Sequence, residues 1–89
     1  MTLNEAIKAM KEWAREKAFT NIYAANCYAY LEAIPRAIDL GSELVGSAAE
    51  GLRTQLMYAL NNAQGWKGAE ARESKKIMRS WIKKNELSL

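Results

Sequence analysis

Two glycines with only two residues between them, Gly65 and Gly68, separate two stretches whose apolar residues recur at helical spacing. That corner restricts the chain more than any other feature. Before it, Leu52, Leu56, Ala59, Leu60 and Ala63 recur at steps of three and four and line one side of a helix. Ser47 with Glu50 three residues on fits a capping box, so this helix is expected to start near Ala48 and to run to about 64. Asn61, Asn62 and Gly65 mark its decay, and Gly65 is the residue expected to take the left-handed conformation at the helix C-terminus. Gly68 permits a second sharp backbone setting before the next helix, expected over 69 to 84. A connection this short makes the two helices antiparallel neighbours, a tight C-terminal hairpin.

In the last helix charges and apolar groups separate. At about 100° per residue, Arg72, Lys75, Lys76, Arg79 and Lys83 fall within roughly 100° of arc, opposite Ser74, Met78 and Trp81, with Ala71, Ile77 and Ile82 flanking. One face reads as core, the other as a basic stripe. From Gly65 to Leu89 there are seven Lys or Arg against three Glu, while Met1 to Gln64 holds six against seven acids. The net charge of +3 therefore comes from the last quarter of the chain.

Earlier in the chain, Thr2 with Glu5 forms another possible capping box, and Leu3, Ala6, Ile7, Met10, Trp13, Ala14 and Ala18 follow a helical stripe. A first helix is expected over 3 to 18, with Lys8, Lys11, Glu12, Arg15 and Glu16 on a solvated face. Phe19-Thr20-Asn21 is a break with capping residues, after which Ile22, Ala25, Ala29, Leu31 and Ile34 are expected to cover the core side of a second helix. Tyr23, Tyr28 and Tyr30 distribute around it. Pro35 lacks an amide proton and disfavours helical geometry at Ile34, so this helix ends at 34, kinks, or hands over to a short helix reaching 40. Residues 41 to 46 then form the one real loop, with Leu44 and Val45 folded onto the core.

With 89 residues the chain suffices for one domain, and a hydrophobic content of 49% with a single proline argues for a globular, helix-dominated one. The expected fold is all-α: a compact bundle of four helices. The lone Cys27 excludes an intrachain disulfide and fits a reducing, cytoplasmic setting. No apolar run approaches the ~18 residues of a membrane span, and no membrane partner is expected.

Histidine is absent, which removes the commonest general base and the commonest metal ligand together. Ser/His and Cys/His catalytic arrangements are impossible. No catalytic, cofactor or metal site is expected, and the chain reads as a non-enzyme. Cys27, among Ala and Tyr, reads as a small core residue rather than a reactive thiol. Glu70 and Glu73 suit the positive end of the last helix. Trp66, at a corner between two glycines, is expected to sit partly exposed, where it would suit a binding hot spot. Candidate partner-binding residues are thus Trp66, Lys67, Arg72, Lys75, Lys76, Arg79 and Lys83. The basic face could meet an acidic protein surface, track nucleic-acid phosphates, or be an ordinary solvated face.

The segment Gln55-Leu56-Met57-Tyr58-Ala59-Leu60-Asn61-Asn62, with Trp66-Lys67-Gly68-Ala69-Glu70-Ala71-Arg72-Glu73 and Lys75-Lys76, resembles a group of small phage and prophage proteins. These end in a Gln-Leu-x-Tyr-x-Leu-x-Asn helix, a Trp-[Arg/Lys]-Gly corner and a Glu-Ala-Arg-x-x-Lys helix. The likeness covers about the last 35 residues. It brings no activity, but it implies a phage-encoded setting in which small single-domain proteins bind host proteins, inhibitors of CRISPR nucleases and other defences among them. The function expected is therefore a protein-binding module, an anti-CRISPR-like inhibitor of a host defence protein. A small nucleic-acid-binding module and a homo-oligomeric structural protein, for which a symmetric dimer would serve, are the alternatives.

Overall fold

A computed structural model describes residues 1–34 and 46–84. Among the described residues there are four helices, α1 (Leu3–Lys17), α2 (Ile22–Glu32), α3 (Gly46–Asn61) and α4 (Ala69–Lys84), and no strand. The all-α bundle expected from the sequence is the fold. The short helix expected after Pro35 and the expected seating of Leu44 and Val45 lie outside the described residues.

The local signals that start the first two helices act as anticipated. Glu5 N–H donates to Thr2 Oγ1 at 3.1 Å while Thr2 N–H donates to Glu5 Oε1 at 2.8 Å, so the capping box satisfies both exposed amides. The amide and hydroxyl of Thr2 stabilise the Glu5 carboxylate and hold its pKa below the ordinary value. Asn21 Oδ1 accepts from Tyr23 N–H at 2.9 Å and Ala24 N–H at 3.3 Å, starting α2. At α3 the helix begins at Gly46, which puts Ser47 inside it rather than at its cap.

Packing runs α4, α1, α2, α3: α1 lies between α4 and α2 and makes its broadest contact with α4, and α2 packs on α3. The sequence-adjacent pair α3 and α4 shares the smallest interface of the four. Their connection is also longer than expected. α3 stops at Asn61, so seven residues rather than four separate the helices. Asn62 Nδ2–H donates to the Tyr58 carbonyl at 2.9 Å, a bond its own backbone amide also makes at 3.2 Å, and Ala63 N–H closes a tighter turn onto Leu60 O at 3.1 Å. The left-handed residue is Gly68, at φ 108°, and not Gly65. Trp66 N–H closes a turn onto Ala63 O at 3.0 Å that needs no such conformation at Gly65, whereas Gly68 must reverse the chain before its carbonyl accepts the first α4 amide, from Arg72.

The core mixes alanines with larger aliphatic and methionine side chains. Ala6, Ile7, Met10 and Ala14 of α1 meet Cys27 and Leu31 of α2, Leu52, Leu56, Ala59 and Leu60 of α3, and Ala71 and Met78 of α4. Met10, Leu56 and Met78 are the largest fully buried side chains. The α1 and α4 stripes face inward as their spacing requires. For α2 the expected core side holds at Leu31 and, partly buried, at Ile34, but not at the start of the helix. Ala24 and Cys27 are buried there, while Ile22 is 70% exposed and Ala29 lies outside. Ala and Tyr on every side give this helix almost no amphipathic contrast, so neighbours rather than pattern set its rotation. Lys11 of α1, expected in solvent, ties the pair together instead, 2.6 Å from Glu32 and 6.0 Å from the Tyr28 ring centre.

Met10→Ala should cost about 2–5 kcal/mol, a large share of the stability of a domain this size, whereas Phe19→Ala should stay within about 0.5 kcal/mol. Urea unfolding followed by helical circular dichroism distinguishes the two. Burial of Cys27 pushes its thiol up from the ordinary 9.0 to about 12, with Lys75 pulling weakly the other way. Below pH 9.0 both folded and unfolded thiols are protonated and this contribution is full. Between there and about 12 only the unfolded thiol ionises, and stability drains by about 1.4 kcal/mol per pH unit. Cys27→Ala should remove that part of the alkaline decline, measured as the difference between the two urea midpoints across the range.

Candidate partner-binding face

Trp66 sits at the centre of the corner. It is 6% exposed, so the expectation of a partly exposed anchor is wrong. Its ring stacks on Trp13 of α1 at 6.0 Å between centres and 23° between planes. Gly68, with its positive φ, turns the chain just after Trp66, and the indole fills the space where the connection crosses α1.

Lys75 belongs to the same arrangement and not to the free basic stripe. Its ammonium donates to the Trp66 carbonyl at 2.7 Å and lies 5.9 Å from the Trp66 ring centre. Partial burial, then the positive charges of Arg79 and Lys67, hold its pKa below the ordinary lysine value. On the helical wheel Lys75 lies at the edge of the cationic arc, next to the side of α4 that carries Ala71, and a four-carbon stem from there reaches inward. A hydrogen bond to a charged donor contributes about 1.5–3 kcal/mol, more than an exposed ion pair.

The other five candidates are exposed: Lys67 at the corner, and Arg72, Lys76, Arg79 and Lys83 along α4. Among the described residues none of these five has a carboxylate within 4 Å. Glu73, on the flank, is 3.7 Å from the amino group of Met1. The structure brings Arg79 and Lys83 together with residues that sequence reasoning passed over. A groove of about 520 Å³ runs between α3 and α4, lined by Met57, Leu60, Asn61 and Gln64 on one side and Arg79, Ile82 and Lys83 on the other. A second, more polar cleft of about 440 Å³ lies across the end of α3, lined by Asn21, Tyr23, Asn61, Asn62, Gln64 and Gly65. Asn61 and Gln64 border both, so the two join into one surface.

Large apolar side chains stand in or near it. Met57 is 47% exposed and Tyr58 50%, the latter tilted against Tyr30 at 5.1 Å between ring centres; Tyr23 is 63% exposed and Phe19, on the turn before α2, wholly so. Met57 and Tyr58 come directly after the Leu52–Leu56 stripe, yet at about 100° per residue both fall off it, and that offset is a legible signal of exposure. Phe19, Ile22 and Tyr23 surround the capping Asn21, where apolar residues ordinarily turn inward; only the packing of α2 shows that they do not. Among the described residues no group of three or more potential metal ligands gathers.

If Lys75 is a strut of the corner, Lys75→Met should destabilise the fold by about 1–3 kcal/mol, since it strands the Trp66 carbonyl, while Lys76→Met one residue on should change it by no more than about 0.5 kcal/mol. Equal, small effects in urea unfolding would show the contact to be incidental.

No protein-family model, curated protein or solved structure matches the chain.

Proposed function

We propose that this protein is a non-enzymatic protein-binding module that engages its partner through the α3–α4 face. The observation that carries this is the composition of the surface joined at Asn61 and Gln64. Exposed Tyr23, Met57 and Tyr58 stand beside or within it, together with Arg79 and Lys83. Tyr, Met and Arg are the residue types enriched at protein interfaces, and a concave apolar strip beside cations gives them a shaped seat. The chemistry-bearing groups point away from catalysis. The chain has no histidine, and the Cys27 thiol is enclosed with its pKa raised, where thiolate chemistry is suppressed.

The resemblance of the last third to small phage proteins supports a biological setting: an inhibitor of a host defence protein, acting by occupancy in the host cytoplasm. No helix among the described residues is long and apolar enough to cross a membrane, which is compatible with that setting. The second reading, nucleic-acid binding, draws on the exposed Arg72, Lys76, Arg79 and Lys83 alone. It makes no use of the apolar strip, and it loses Lys75 to the corner.

Affinity capture from lysate of a bacterial host with the tagged protein should recover a stoichiometric protein partner, and a Met57→Ala/Arg79→Glu variant should lose it while retaining its helical spectrum. An empty capture, or a nuclease-sensitive one whose log affinity falls steeply with log salt, would overturn the proposal in favour of nucleic acid or of no partner.

A further inference from the structure

The groove between α3 and α4 constrains the kind of partner it can take. Its floor is apolar, with Leu60 nearly buried and Met57 and Ile82 partly open. Among its lining residues charge is confined to the α4 rim, and on α3 the Arg53 guanidinium lies 3.7 Å from the Met57 sulfur. Arg79 and Lys83 stand four residues apart on α4, about 6 Å along the helix axis, whereas the opposite rim offers the neutral amides of Asn61 and Gln64. The groove lies along the smallest of the helix–helix interfaces, and its volume of about 520 Å³ is that of a shallow, largely open seat.

We propose that this groove receives an amphipathic, acidic helix of the protein partner, its apolar edge on Met57, Leu60 and Ile82 and two carboxylates one turn apart against Arg79 and Lys83. Charge complementarity selects this occupant. Cations spaced by one helical turn match carboxylates at i and i+4 on a helix laid alongside, and neither cation has a carboxylate of its own among the described residues. A nucleic-acid strand would bring phosphates to an apolar floor. A basic or neutral helix would bury its edge equally well but face Arg79 and Lys83 with nothing to pair, so the rim discriminates against it. The inference rests on the protein-binding proposal and narrows it to one partner chemistry at one groove.

The test is selection from a displayed library of random helical peptides of about 16 residues on the immobilised full chain, followed by methyl NMR of the best binders. Enriched sequences should carry Leu, Ile or Phe at helical spacing with Asp or Glu pairs one turn apart, and should shift the Met57, Leu60 and Ile82 methyl signals. Arg79→Glu with Lys83→Glu, both exposed and safe for folding, should weaken binding by about tenfold or more, and raised salt should weaken it too. Enrichment of neutral or basic peptides, binding unchanged by the double charge reversal, or the same shifts produced by a single-stranded oligonucleotide would overturn it. Peptides that bind at Tyr23 and Phe19 instead would sink the groove assignment while leaving the broader binding proposal standing. An empty selection together with an empty lysate capture would remove both.

Discussion

The indole of Trp66 is the contact on which the arrangement of the helices depends. Three interactions converge on one residue: stacking with Trp13, the ammonium of Lys75 over its ring, and the same ammonium bonded to its carbonyl. An aromatic pair adds about 0.5–1.5 kcal/mol beyond area burial, and the charged hydrogen bond about as much again or more. These join the corner to α1 and to the second turn of α4 at once. The broad α1–α4 interface therefore has a fixed end from which the rest of α4 is aimed.

The helices on either side of the corner pack more on α2 and α1, respectively, than on each other. Trp66 itself turns to α1 through Trp13 and does not line the space between α3 and α4. That space carries Leu60 at its base and Arg79 and Lys83 at its lip.

The core sets alanines between larger side chains, of which Met10, Leu56 and Met78 are the largest that are fully buried. Ser74 is buried too, with its hydroxyl 3.2 Å from the sulfur of Met1. Small residues permit close helix approach but supply little apolar area each. The surface ties, such as Lys11 with Glu32 and Tyr28, contribute orientation more than energy.

Helix number, the starts of α1 and α2, the inward stripes of α1 and α4, and the burial of Cys27 are all legible in the sequence, because each depends on residues within about one or two turns of one another. The candidate site is half legible. The period of α4 places Arg72, Lys76, Arg79 and Lys83 outward, but it cannot distinguish Lys75, whose environment is made by Trp66 nine residues away in the chain. The rotation of α2 and the exposure of Ile22 and Tyr23 are hidden because Ala and Tyr give that helix no preferred face. The burial of Trp66 is hidden too, because the ring it stacks on, Trp13, lies far away in the chain. The sequence by itself determined which segments coil and which sides of α1 and α4 avoid water. The tertiary structure alone decided that α3 packs on α2 and α4 on α1 more than on each other, since that choice rests on contacts between residues far apart in the chain.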